Sequence, residues 1–253
     1  NKCINYKTPI TMNEERQVIL ENPELSNTRM RFVAYFDIMG FKNMIRTKPT
    51  DSIYGQFRDL LDDIQNKLKT HKLLAYSAFS DLIVVITDDD TSKAFTQLAD
   101  AALMLMQGTF TRYGWGMSGC IAKGEITYDK NRNIFIGQPI VDAYLLSEDI
   151  DYYGVAVHKS AHDDVCKYIT RKKREKKNSH LEFLFKEERI YFKNGFYSEY
   201  HLRWFDFDLV KKYDPQRTHK LIFKTLDNIL KDIHGKARRY IENTKDVINY
   251  NQQ

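Results

Sequence analysis

The apolar positions of this chain follow two alternating periods. Arg31–Ile38 (RFVAYFDI) is aromatic, β-branched and almost wholly apolar, and it reads as a buried strand ending at an aspartate before Met39 and Gly40. Over Asp51–Thr70 the apolar residues Ile53, Phe57, Leu60, Leu61, Ile64 and Leu68 fall three and four apart. That spacing predicts an amphipathic helix with Asp51 as its N-cap. Leu73–Thr87 is apolar again, interrupted by Ser80-Asp81, the pattern of two buried strands joined by a tight turn with the aspartate at its tip. A helix over Thr91–Thr111, strands over Trp115–Tyr128 and Asn133–Ile136, and a helix opening at Gly137 and running through Glu148 complete the first part.

The resulting order, β-α-β-β-α-β, is the ferredoxin-like split βαβ plan, and the fold class expected is α+β. Beyond it, Val155–Val157 suggests a short strand, Ser160–Tyr168 a short helix, and RKKREKK (171–177) a charged loop. Leu181–Phe207 suggests two or three aromatic-rich β segments, and Leu221–Tyr250 a closing amphipathic helix with a break expected at Gly235. Residues 1–29 are polar, with a short helix expected at Asn13–Leu20. Three parts are therefore expected: an N-terminal extension (1–29), a core domain (30–213) with its C-terminal β segments, and a helical C-terminal segment (214–253).

Bulk properties narrow the field. The chain has 253 residues, 42% of them hydrophobic, enough for one sizeable core, and no apolar run long enough to span a membrane. Its beginning lacks the basic-then-apolar order of a signal peptide. Cys3, Cys120 and Cys166 are too few and too scattered for a disulfide framework and fit reduced thiols, so a cytoplasmic location is expected. The net charge of +5 mixes 39 basic with 34 acidic residues, which tolerates a polyanionic small molecule without requiring a nucleic acid, and none is expected.

Asp37 and Asp81 carry the candidate chemistry. An aspartate at a strand end is commonly a turn former or a cap. Here each lies in apolar sequence, and the topology sets them side by side at one end of a sheet. Two close carboxylates repel unless a cation neutralises them, and Mg²⁺ or Mn²⁺ held by one or two carboxylates, phosphates and water suits such a pair. The Met39–Phe41 turn would offer amides to phosphate. His158 and His162 have a zinc-like spacing without further ligands and read as solvated surface, as does the 171–177 run; the aromatics of Tyr191–Phe207 read as core.

With these residues in view, Phe36–Phe41 (FDIMGF) resembles the F-x-D-I-x-G-F segment of the class III nucleotide cyclases. Phe79-Ser80-Asp81, Gly119–Glu125 (GCIAKGE), Ile134–Gly137 (IFIG) and Ala143-Tyr144-Leu145 resemble later segments of that family, over roughly residues 30–165. In detail the pattern is most similar to the bacterial pyrimidine cyclases of the Pycsar anti-phage system. The resemblance implies two metal ions held by Asp37, Asp81 and the Ile38 carbonyl, and a triphosphate cradled by the Gly40 and Phe41 amides. It also implies a homodimer with shared active sites. The purine-reading Lys and Asp of the family fall at Ser77 and Ile134, its transition-state Asn and Arg at Val141 and Leu145, and a phosphate-binding Arg at Ser118. Lys42, Lys123, Lys193 and Tyr144 are the candidates to compensate, Tyr144 as a catalytic residue and Lys42 and Lys193 as substrate contacts. The expectation is a metal-dependent lyase that converts CTP or UTP to a 3′,5′-cyclic monophosphate, which acts on a separate effector. The alternatives are a catalytically silent nucleotide-binding dimer, or a purine cyclase with unusual base contacts.

Overall fold

A computed structural model describes residues 28–68, 75–129, 132, 134–175, 181–208, 212–231 and 235–250. The helix expected at Asn13–Leu20 lies outside them. Strand β1 (Thr28–Ile38) leads through helices α1 (Phe41–Thr47) and α2 (Thr50–Leu68) to the hairpin β2 (Ala75–Phe79) and β3 (Leu82–Ile86). Helix α3 (Ser92–Tyr113), strands β4 (Met117–Asp129) and β5 (Ile134–Ile136), helix α4 (Gln138–Asp149) and strand β6 (Gly154–Val157) follow. Then come α5 (His162–Arg174), the hairpin β7 (Phe185–Phe192) and β8 (Gly195–Leu202), the short pair β9 (Phe207–Asp208) and β10 (Lys212–Tyr213), and helices α6 (Pro215–Leu230) and α7 (Lys236–Tyr250).

The main sheet runs β2-β3-β1-β4-β6-β8-β7, with β5 added to β4. Its first four strands are antiparallel neighbours in the order of the split βαβ plan, and β6 joins β4 in parallel. The α+β class with a βαββαβ core is therefore present.

Alternation along β1 divides the molecule into two layers. Phe32, Ala34, Phe36 and Ile38 enter a large core with Phe95, Leu98 and Phe110 of α3, Val165 of α5, Ile222 and Leu226 of α6, and Tyr240 and Ile241 of α7. Val33 turns to the other face and joins Val84, Ile86, Cys120, Ala122 and Ala143 of α4 in a smaller cluster, with Tyr35 packed against it. At the β1 N-terminal end Arg31, 1% exposed, ties β1 to the loop after β3: its Nη1 donates to the Thr87 and Asp88 carbonyls at 2.8 and 2.9 Å. Among the described residues no helix is long and apolar enough to cross a membrane.

Three local expectations need correction. The helix after Pro49 starts at Thr50, so Asp51 sits in its first turn and is not the cap; the Ser52 and Ile53 amides donate to the Pro49 carbonyl instead. The charged run is helical as far as Arg174, because straight-chain Lys and Arg favour helix and complement the helix C-terminus, and Lys172 is itself buried. His158 and His162, expected as solvated surface, are both half-buried. His158 caps a 3₁₀ turn, while His162 opens α5 and contacts the Val157 carbonyl and Glu199.

Arg31→Met should strip the buried Thr87 carbonyl of its donor at a cost of about 1–3 kcal/mol, while the carbonyl of the exposed Asp88 can turn to water. Urea unfolding should show a lower midpoint with an unchanged m-value.

Candidate active site

The register of β1 and β3 brings the two aspartates together. Asp37 lies opposite Leu82, the residue after Asp81, and the Ile38 amide donates to the Asp81 carbonyl at 2.9 Å. Ser80 turns the hairpin with a left-handed backbone, φ 58°, which leaves Asp81 at the tip. On the opposite edge Asp37 faces Ser118 of β4, whose hydroxyl meets the Met39 sulfur at 3.5 Å.

Both carboxylates are half-buried. Burial first, then the charges of Asp81 and Glu148, raise the Asp37 carboxyl from 3.8 to about 6. Tyr35, two residues earlier on the same face, is pushed to about 12 by burial and then by Asp37. Neither aspartate has a cationic side chain as salt-bridge partner among the described residues. No group of three or more His, Cys, Asp or Glu side chains able to hold a metal is found there either. What the site offers is a pair. Its negative field and lack of a protein cation fit a hard divalent ion whose remaining ligands come from phosphate and water.

The turn beyond β1 has its own constraints. Gly40 has φ 79°, a left-handed conformation natural to glycine, and its carbonyl accepts from the Asn43 and Met44 amides as α1 begins. Phe41 is half-buried at the start of α1, and Lys42 is exposed beside it. An open groove of about 430 Å³, lined by Phe41, Ile45, Ile53, Tyr54, Phe57 and Ser80 among others, adjoins the hairpin tip.

The structure gathers some expected residues and scatters others. Asp37, Ile38 and Asp81 are immediate neighbours. Tyr144 of α4 is 43% exposed and meets the Tyr35 ring edge-on at 5.7 Å, which places it beside Asp37. Ser77 pairs with Val84, which pairs with Tyr35, so it lies on the same face two strands away. Lys193 sits 4.0 Å from Glu148 at the end of α4. Lys123 is already bound to Asp90 and Asp164 at 3.1 and 3.0 Å, and it lies opposite Phe32, roughly 17 Å along the strand from Asp37. It cannot compensate at this site. Ile134 pairs with Asp129 at the far end of the sheet, eleven residues along β4 from Ser118 and so roughly 37 Å from Asp37 within one chain. Tyr35 and Glu148 were not singled out from the sequence, although the strand's period of two pointed to Tyr35.

No family model matches the sequence, and no curated protein matches it. Solved structures do. The catalytic core of a rhodopsin-guanylyl cyclase with converted specificity, in complex with ATPαS, aligns over 69% of this chain and 95% of its own at TM-score 0.51 and 10% identity. The monomeric guanylyl cyclase domain of the RhoGC fusion protein from the aquatic fungus Blastocladiella emersonii covers 69% and 95%, at 0.50 and 11%. The guanylate cyclase domain of RhGC from Catenaria anguillulae in complex with GTP covers 69% and 96%, at 0.50 and 12%. The fold is that of the class III nucleotide cyclases. The neighbours also correct the expectation of a pyrimidine cyclase in anti-phage signalling: they are named as guanylyl cyclases, with GTP or ATPαS bound where a nucleotide is named. The missing Lys and Asp at Ser77 and Ile134 suggested a smaller base, but absent purine contacts are not contacts to a pyrimidine.

The folded state holds the Asp37 proton more tightly than the unfolded chain does. Metal-free protein should therefore lose stability as pH rises from 3.8 to about 6. Asp37→Asn should melt higher than wild type at pH 8 and no higher at pH 3.5. A tenfold change in proton affinity is worth about 1.4 kcal/mol, and partial exposure reduces the gain to the order of 1 kcal/mol, or roughly 2–4 °C.

Proposed function

We propose that the chain is a metal-dependent nucleotide cyclase acting on a purine nucleoside triphosphate, with base contacts that differ from the usual Lys and Asp. The observation that carries this reading is the half-buried Asp37–Asp81 pair, held together by the backbone with no salt-bridge cation among the described residues. Divalent ions bound there would neutralise the triphosphate and lower the pKa of the ribose 3′-hydroxyl, whose oxygen attacks the α-phosphorus as pyrophosphate leaves. Asp37 and Asp81 hold the ions and the Ile38 carbonyl assists. The Gly40 and Phe41 amides and the exposed Lys42 face the phosphates. The Ser77 hydroxyl would belong to the base pocket, Lys193 and Tyr144 would lie towards the ribose, and Ile134 would reach a base only from a second copy of the chain. The exposed apolar side chains Val141, Tyr144 and Leu145 on α4 suit a second copy of the chain, as a shared site requires.

A second reading, a silent nucleotide-binding dimer, is favoured by one observation. Val141 and Leu145 are apolar and exposed where Asn and Arg would steady the transition state, and Ser118 replaces the phosphate-binding Arg. Incubating the protein with Mn²⁺ and each nucleoside triphosphate, and resolving the products by chromatography, decides between the two. The expected result is a cyclic purine nucleotide from ATP or GTP, with loss of at least about 100-fold in Asp37→Asn and Asp81→Asn, equivalent to nearly 3 kcal/mol of transition-state stabilisation. Binding without turnover would establish the silent reading. Conversion of CTP or UTP alone would refute the purine assignment.

A further inference from the structure

Helix α7 grips the loop that follows α4. Asp151, 3% exposed, receives Arg239 Nη2 on Oδ1 at 2.8 Å and Arg239 Nε on Oδ2 at 2.6 Å. Asn243 Nδ2 donates to the Asp151 carbonyl at 2.7 Å and to its Oδ2 at 3.0 Å. Two residues further on, the Tyr153 amide donates to Thr244 Oγ1 at 2.8 Å. The Tyr153 ring lies over that of Tyr240, with centroids 6.3 Å apart at 24°. These contacts are charge-assisted or buried, the strong kind of hydrogen bond, and they fix Tyr153 from one side.

The other side of Tyr153 presses on the metal turn. A Cβ added at Gly116 would fall 2.4 Å from the Tyr153 ring, so the ring rests directly on the Gly116 backbone. The Gly116 carbonyl accepts the Met39 amide at 2.9 Å, and Met39 directly follows Ile38, the last residue of the β1 ladder. A continuous path of contacts thus runs from Tyr240 through Tyr153 and Gly116 to the residue two places after Asp37. Tyr240 is 4% exposed. Its hydroxyl is pushed to about 12, by burial first and then by carboxylates that include Asp151, Glu148 and Asp37, so it lies within the field of the site.

We infer that α7 is a positioning element for the active site: the Tyr240 ring, locked by the Asp151–Arg239–Asn243 clasp, braces Tyr153 against Gly116 and thereby steadies Met39 and the end of the strand that carries Asp37. The inference rests on the metal reading of that pair. A metal site must be held within about half an ångström to bind an ion well, and beyond Ile38, where the ladders of β1 end, the bond from the Met39 amide to the Gly116 carbonyl anchors the turn next to the pair.

The test compares Tyr240→Leu, which removes the ring, with Tyr240→Phe, which keeps it. Hydrogen exchange at the Met39 amide and Mn²⁺ affinity, read from the spin resonance of free Mn²⁺, are measured on the full chain. Tyr240→Leu should speed Met39 exchange at least tenfold and weaken Mn²⁺ binding about tenfold, while amides in the middle of β1 keep wild-type protection. Tyr240→Phe should change neither. If Tyr240→Leu does not fold, Arg239→Leu with Asn243→Ala, which opens the clasp from the surface, should give the same two changes. Wild-type exchange at Met39 in a folded Tyr240→Leu or clasp variant would overturn the inference, as would equal damage from Tyr240→Phe. Should the wild-type protein fail to bind Mn²⁺, the metal reading falls, and the exchange comparison still decides whether α7 positions the turn.

Discussion

The repulsion between Asp37 and Asp81 is enforced by main-chain geometry, and the organisation of this end of the molecule follows from it. The β1–β3 register sets Asp37 opposite Leu82, and the Ile38 amide is bonded to the Asp81 carbonyl, so neither aspartate can withdraw without breaking a ladder. Burial makes the pair more costly, which is why the Asp37 carboxyl holds its proton to about 6. A sheet end that only had to be stable would carry amides or apolar residues at these positions. A carboxylate pair without a salt-bridge cation among the described residues suits a hard divalent ion whose other ligands come from phosphate and water.

The two faces of the sheet make this arrangement workable. The face bearing Phe32, Phe36 and Ile38 is covered by α3, α5, α6 and α7, and that thick layer supplies most of the hydrophobic stabilisation. The face bearing Tyr35 is covered by α4, which leaves Asp37 reachable. Stability and access are thus divided between layers, and the strand's alternation assigns each residue to one of them. The thick layer also reaches the site indirectly, since α7 touches the loop whose Tyr153 presses on Gly116.

What could be read in the sequence was whatever depends on short-range periodicity. The apolar run of β1, the Ser80-Asp81 break and the three-four spacing of α2 are local patterns, and they were enough for the βαββαβ order and for the meeting of the two aspartates. The helical continuation through Arg174 was missed because a charge run looks solvated, while this helix is anchored by Tyr168, which packs on Phe95 of α3 and Phe185 of β7 and lies under Lys172. Glu148 was missed because its relation to Asp37 exists only after α4 has packed on β4. Tyr240, about two hundred residues from Asp37, carried no local signal at all. The identity of the base failed for another reason. Ser77 and Ile134 show which contacts are absent, and absence names no ligand.

The distance between the two ends of the sheet bears on how a site here could be completed. Ile134 and Asp37 lie roughly 37 Å apart in one chain, farther than a single nucleotide reaches, so one chain cannot present its aspartate pair and its β5 end to the same nucleotide. A two-fold axis running past α4 would bring the β5 end of one copy to the Asp37 end of the other, and would form two such sites at once. The seam available for that axis is already apolar. Val141 and Leu145 are 48% and 56% exposed on α4, and Ile136 of β5 is 67% exposed. On the cyclase reading, the side chains that replace Asn and Arg on α4 therefore lie along this seam. On that same reading, turnover would depend on what a second copy brings to the Asp37–Asp81 pair that the first already holds together.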